Sequence, residues 1–453
     1  MLVANWEGLI KNGSTLRDRK AREIALKILE KVLEEADPKR AVKKIFRIRG
    51  HELDVKGTKF NLREMENIYV IGGGKASGGM AETLEEILGQ RITKGFVNIP
   101  EGTKARYKTS RIELNETSHP IPNENGVEGS RRILQIADEA REKDLVLILI
   151  SGGGSSLMPL PLEGLSLKDL QNVTDELLKS GAVINELNAV RKHLSGIKGG
   201  RLAMACYPAM AIVLIISDVV GDPLDVIASG PTVPDPSTYN DAMEILRKYG
   251  LIGKFPRIRE HLLEGSRGKI PESLKPYDEA FSRTHNFLIG CNKMVIQKIH
   301  EDISTRYKSE VLATDLEGEA REVGEMLGET IMNKRGSISL PYVIISGGET
   351  TVTVKGKGVG GRNQELVLGA MSKLNGEGVV IASMGTDGID GKTDAAGAIA
   401  DGRSLKKAIE LGLSPQDYLD NNDSYNFFKR MGELVMTGPT GTNVNDVIVM
   451  VLT

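Results

Sequence analysis

The chain has 453 residues, 40% hydrophobic and 26% charged, with 59 Lys and Arg against 61 Asp and Glu for a net charge of −2. This composition excludes disorder, a collagen-like repeat and an overall positive field for nucleic acid or an anionic membrane, and the length predicts two or three folded domains. Glycine is the outlier: 51 residues, about 11% of the chain, where about 7% is usual.

The first predicted element is a helix from about Ser14 to Ala36, where Ile24, Ala25, Ile28, Leu29, Val32 and Leu33 repeat at three-to-four spacing. Short apolar runs follow at Ile68 to Ile71, Leu145 to Ile150, Ala211 to Ile216, Phe287 to Ile289, Tyr342 to Ile345, Val379 to Ala382 and Val447 to Leu452. Each is too short for a helix and reads as a buried parallel strand. Ser166 and Asp169 form a capping-box signal for a helix through Leu178.

Alternating strands and helices predict two α/β domains with mainly parallel, Rossmann-like sheets flanked by helices. The proline-interrupted, charged stretch after Asp235 carries no strong strand, so the expected division is 1–240, a helical connection over 241–283, and 284–453. The cluster Lys39, Arg40, Lys43, Lys44, Arg47 and Arg49 sits in an acid-balanced context and reads as a solvated face. Cys206 and Cys291 lie beside apolar segments, and no histidine or cysteine spacing suits zinc. No apolar run approaches the roughly 20 residues of a membrane span, and a cytoplasmic protein is expected.

Seven loop segments totalling 80 residues hold 25 of the 51 glycines, and most of them follow a predicted strand. Ligands bind there in open α/β sheets, and glycine lets backbone N–H groups converge on an anion such as phosphate.

The first segment, Gly72-Gly73-Gly74-Lys75-Ala76-Ser77, is neither a Walker loop nor the dinucleotide fingerprint G-x-G-x-x-G, whose third glycine is replaced by Ser77. It leaves Lys75 able to meet a phosphate as a point charge. The second, Ser151-Gly152-Gly153-Gly154-Ser155-Ser156, reads as a phosphate cradle together with Gly73 and Gly74. Between Asn185 and Ser195 a helical pattern puts Asn188, Arg191 and Lys192 within an arc of about 100°, and they are candidate substrate ligands.

The turn holding Asp218, Asp222 and Asp225 offers hard oxygen ligands suited to Mg²⁺. In the second half, Lys355 to Arg362 is rich in glycine, and Arg362 opens a helix. A cation is electrostatically unfavourable at that end, so an anion is expected beside it. Gly385 to Asp394 alternates acids with glycine, and Asp387 and Asp390 are further candidate Mg²⁺ ligands.

These motifs, with Ala228-Ser-Gly-Pro-Thr232, Gly360-Gly-Arg-Asn-Gln-Glu365 and Asn443-Val-Asn-Asp446, resemble the glycerate 2-kinase family, the type with a C-terminal MOFRL domain. The resemblance covers nearly the whole chain in order. It implies ATP-dependent phosphorylation of D-glycerate to 2-phosphoglycerate with Mg²⁺, an active site in the interdomain cleft, and catalytic roles for Lys75 and Arg362. Asp218 or Asp387 is then base or metal ligand.

The expected partners are D-glycerate and ATP, with no nucleic acid and no membrane. The oligomer is left open, a homodimer being one option. Two readings compete. An NAD(P)-dependent hydroxypyruvate reductase would use the same small acid but lacks its fingerprint, and a non-catalytic sugar-phosphate-sensing module would not need the acidic loops.

Overall fold

The computed structural model describes residues 2–336 and 338–453. The chain divides into two compact units, a large one over Pro38–Ile289 and a split one formed by Met1–Asp37 with Gly290–Thr453. This differs from the expected division in two ways. The first 37 residues join the C-terminal part, and the stretch expected as a connection belongs to the large unit as helices Tyr239–Lys248 and Pro256–Ser266.

The large unit carries a six-stranded sheet of β1 (Ile68–Gly73), β2 (Lys94–Pro100), β3 (Ile112–Thr117), β4 (Leu145–Ser151), β5 (Met210–Ile216) and β6 (Thr284–Gly290). Their order is β3-β2-β1-β4-β5-β6. The pairs β3–β2, β2–β1, β1–β4 and β4–β5 are all parallel. This is the strand order of doubly wound nucleotide-binding sheets, whose topological switch point lies between β1 and β4.

Every residue of β1 and β4 is buried, which explains their unbroken apolar sequence. β2 and β3 escape the apolar-run criterion because polar Asn98, Asn115 and Thr117 interrupt them. Asn98 is nevertheless fully buried, donating to the Leu157 carbonyl at 2.7 Å and accepting from Asn115 at 3.0 Å.

The split unit holds a mixed sheet of β7 (Lys308–Leu316), β8 (Tyr342–Gly348), β9 (Val379–Gly385), β10 (Gly397–Asp401), β11 (Leu434–Val435) and β12 (Asp446–Leu452), in the order β7-β8-β12-β9-β10-β11. Only β7–β8 is parallel, because the C-terminal strand inserts antiparallel between β8 and β9. The expectation of a mainly parallel sheet therefore holds for the large unit and not for this one.

The predicted N-terminal helix is α1 (Leu16–Glu35), opened by a capping box between Thr15 and Asp18. It packs on β9 and β12. Its Arg22 is wholly buried and ion-paired to Asp401 at 2.6 Å and Glu433 at 2.5 Å, which ties the first residues of the chain to the last. No described helix is long and apolar enough to cross a membrane.

Candidate functional site

In the large unit, the loops after β1 and β4 lie side by side at the switch point because the two strands pair in register from Ile68–Leu145 to Gly73–Ile150. Two bonds join them, Lys75 N to the Gly152 carbonyl at 2.8 Å and Ala76 N to Ser151 Oγ at 3.0 Å, while Gly74 N donates to the Asn98 carbonyl of β2 at 3.2 Å.

Gly74 has φ +152° and stands against Ser151, so a side chain there would collide with Oγ. These three amides are thus engaged within the protein, with Ser151 Oγ accepting one of them, and Lys75 is the charged side chain of the first loop.

That side chain is placed by the second loop. A Cβ at Gly153 would stand 2.9 Å from His119 Cδ2 and 3.3 Å from Lys75 Cγ. A Cβ at Gly152 would overlap the Asp218 carboxylate. Glycine at 152 and 153 is therefore what lets a lysine, a histidine and an aspartate gather over one stretch of backbone. Gly154 opens a short helical turn to Leu157, and its Cβ would press on Ala228 at 2.8 Å.

From this turn a hydrogen-bonded line runs to buried residues. Ser155 Oγ meets Ser229 Oγ at 2.7 Å, and Ser229 Oγ donates to Asn188 Oδ1 at 2.9 Å. Lys198 Nζ donates to the Ser155 and Met158 carbonyls at 2.9 and 3.4 Å. Ser155, Ser156, Arg191 and Lys198 line one cavity of about 540 Å³.

Lys192 does not join them. On the same helix, Ile184–His193, it is buried and paired with Asp225 at 3.4 Å and Asp235 at 3.2 Å. Its expected substrate contact is corrected to an internal ion pair. Asp222 sits in the turn after β5 with φ +56°.

In the split unit, Arg362 opens α2 (Arg362–Met371). The anion its position calls for is supplied by the protein. Nε and Nη2 bind Asp446 at 2.5 and 3.0 Å, and Nη1 binds Glu349 at 2.5 Å. Despite burial, which opposes it, these carboxylates hold the guanidinium's pKa above its ordinary value.

Asp390 is also committed. It is buried and accepts from Asn363 N at 3.1 Å and Gln364 N at 2.8 Å, taking two of the orphan donors at the start of α2. Burial pushes its pKa up to about 7, with Asp446 adding to the shift. Asp387 Oδ1 accepts from Ile389 N at 3.1 Å.

Among the described residues no group of three or more His, Cys, Asp or Glu side chains is set to hold a metal ion. The expected metal ligands Asp222, Asp387 and Asp390 therefore do not make a protein cage for Mg²⁺, and Asp390 serves as a helix cap.

Two family profiles match the chain, one described as a domain of unknown function, DUF4147, over residues 24–264 and one as the MOFRL family over 342–446. A glycerate 2-kinase of Pyrococcus horikoshii is 44% identical over 95% of this chain and 97% of its own. A D-glycerate 2-kinase of Thermotoga maritima is 43% identical over 94% and 97%. The chain belongs to the glycerate kinase family with a C-terminal MOFRL domain.

Solved structures agree with this family assignment. The crystal structure of the Thermotoga maritima glycerate kinase superposes with a TM-score of 0.83 at 41% identity, covering 95% of this chain and 99% of that one. A Pyrococcus horikoshii protein gives 0.82 at 43% identity, covering 95% and 98%. A relative in Agrobacterium vitis, 36% identical over 96% of this chain and 95% of its own, carries the name putative hydroxypyruvate reductase.

Three residues at this family member's large-unit site escaped the sequence reading: His119, Lys198 and Ser229. His119 follows β3, a strand that the apolar pattern does not show. Ser229 lies in the Ala228–Thr232 motif but carried no assigned role there, and Lys198 stands in a glycine-rich segment with no sign of its own.

Proposed function

We propose that this chain is a glycerate 2-kinase, transferring the γ-phosphoryl group of ATP to the 2-hydroxyl of D-glycerate. The observation that carries the reading is the gathering of Lys75, His119 and Asp218 over Gly152 and Gly153 at the switch point of a doubly wound sheet. Phosphoryl transfer asks for positioning and charge stabilisation more than covalent chemistry.

In this reading Lys75 neutralises the transferring group and Asp218 accepts the hydroxyl proton. Ser155 and Ser156 line the approach. Arg362, oriented by Asp446 and Glu349, is the second cation on which catalysis depends. Mg²⁺ would enter with ATP, bound chiefly by its phosphates, and neutralise their charge.

A coupled assay for ADP with D-glycerate as acceptor tests the proposal. ADP release that requires both ATP and glycerate is expected, and its absence rejects the reading. A second reading, reduction of hydroxypyruvate, draws on the strand order and the Agrobacterium vitis relative's name. Against it, Ser77 replaces the third fingerprint glycine and its hydroxyl is 3.3 Å from Ser151 Oγ. Hydroxypyruvate-dependent loss of NADH absorbance would favour it.

A further inference from the structure

The cavity lined by Arg191 and Lys198 is far larger than a three-carbon acid requires. Its volume, about 540 Å³, lies within the range of about 300–1,000 Å³ that holds drug-sized ligands. Its lining is predominantly apolar, with Ile121, Leu170, Val173 and Leu178 and with Thr174 on the same helix as the last three, and it also presents Arg191, Lys198 and the Ser155–Ser156 turn.

The two cations are set for an anion. No described carboxylate pairs with Arg191 or Lys198, and the two cations repel one another. Burial lowers Arg191 to about 10, and burial with Arg191 lowers Lys198 to about 7. A buried cation pair without a counter-charge is costly unless a ligand supplies one.

Asn188 adds a second, independent sign. It is 2% exposed and its Nδ2 has no hydrogen-bond partner, while its Oδ1 is held by Ser229, the neighbour of Ser155. This unmet donor stands one helical turn before Arg191 and is linked through Ser229 to the cavity-lining Ser155, so it is open to an acceptor that arrives from outside.

We propose that this cavity is the nucleoside triphosphate site. The base lies against the apolar wall of Ile121, Leu170 and Val173, and the phosphates meet Arg191, Lys198 and the Ser155–Ser156 turn. The inference rests on the kinase reading and deepens it. It takes Arg191 and Asn188 from the acid substrate, their expected ligand, and gives them to the nucleotide. The apolar length of the cavity decides between these, since a three-carbon acid has nothing to place there.

Calorimetric titration of the full chain with a non-hydrolysable ATP analogue, with inorganic tripolyphosphate and with D-glycerate tests the proposal. Lys198→Met and Arg191→Ala should each weaken the analogue and tripolyphosphate at least tenfold while leaving D-glycerate affinity unchanged. Thr174→Trp, which fills the cavity beside Leu170 and Val173 on the same helix, should weaken the analogue at least tenfold and spare tripolyphosphate.

Should Lys198→Met fail to fold, Arg191→Ala and Thr174→Trp, both at partly exposed positions, carry the test. If the wild type binds the analogue and these variants do not weaken it, or weaken D-glycerate instead, the placement is overturned and the kinase reading stands. A wild type that binds no analogue overturns both.

Discussion

Lys75 and Arg362 look alike in sequence, each a cation in a run of glycines, yet their surroundings separate them. Lys75 stands in a loop whose amides at 74, 75 and 76 are all bonded to neighbouring segments, so removing its side chain leaves those bonds intact. Lys75→Ala is expected to lower turnover at least about a hundredfold, some 2.7 kcal/mol, with an unchanged melting temperature.

Arg362 is the counter-charge of Asp446, whose side chain is only 5% exposed. Arg362→Ala should lower turnover and also cost on the order of 2 kcal/mol of stability, less than a fully buried pair because the arginine is partly exposed. Calorimetric melting beside a steady-state assay separates the two variants. The sequence showed that Arg362 needs an anion but not which one, because Glu349 and Asp446 are 13 and 84 residues away along the chain. Separation along the chain also hid the Lys192 ion pairs, 33 and 43 residues apart, and the convergence of His119 on Gly153.

At the scale of elements, most strands visible in the sequence are buried on both faces, where nothing polar interrupts the pattern; β6 is the half-buried exception, and β10, though buried throughout, is too short and too rich in Gly and Ala to show. β2, β3 and β7 were not visible, since their partial exposure or buried asparagines break the apolar run. The direction of β12 was also illegible, because an apolar run carries no sign of whether its partner is parallel.

α2 shows what an aspartate in a glycine-rich loop can do other than bind metal. Asp390 caps this helix from a distant loop and titrates near 7 when folded, against about 3.9 in an unfolded chain. The folded state therefore binds the extra proton between about pH 4 and pH 7, so this group's contribution to stability falls as pH rises through that window. Urea unfolding at pH 5 and pH 7.5 should show wild type losing more stability over the interval than Asp390→Asn, in which the position no longer titrates. An equal loss in both would contradict the capping account.

For the whole molecule, the unit boundaries were the least legible feature, because a discontinuous unit cannot be seen by reading along the chain. The amphipathic pattern of α1 announced a buried face, but only the fold reveals that β9 and β12 cover it. Arg22 marks the join. It has no exposed surface and is held between Asp401 and Glu433, so Arg22→Ala would strand two buried carboxylates. A loss of about 3–5 kcal/mol is expected, read as a lowered denaturation midpoint of the split unit.

The glycine excess that sets this chain apart has a divided explanation in the fold. Some of these glycines let side chains lie close over the backbone, as at 152 and 153, while others join loops to one another. The central claim, phosphorylation of glycerate at its 2-hydroxyl, is tested most directly by the phosphorus NMR spectrum of the product formed from ATP and D-glycerate. A new phosphomonoester signal split into a doublet by the single proton on C2 is predicted. A triplet from a phosphorylated C3, or no new monoester at all, would contradict it.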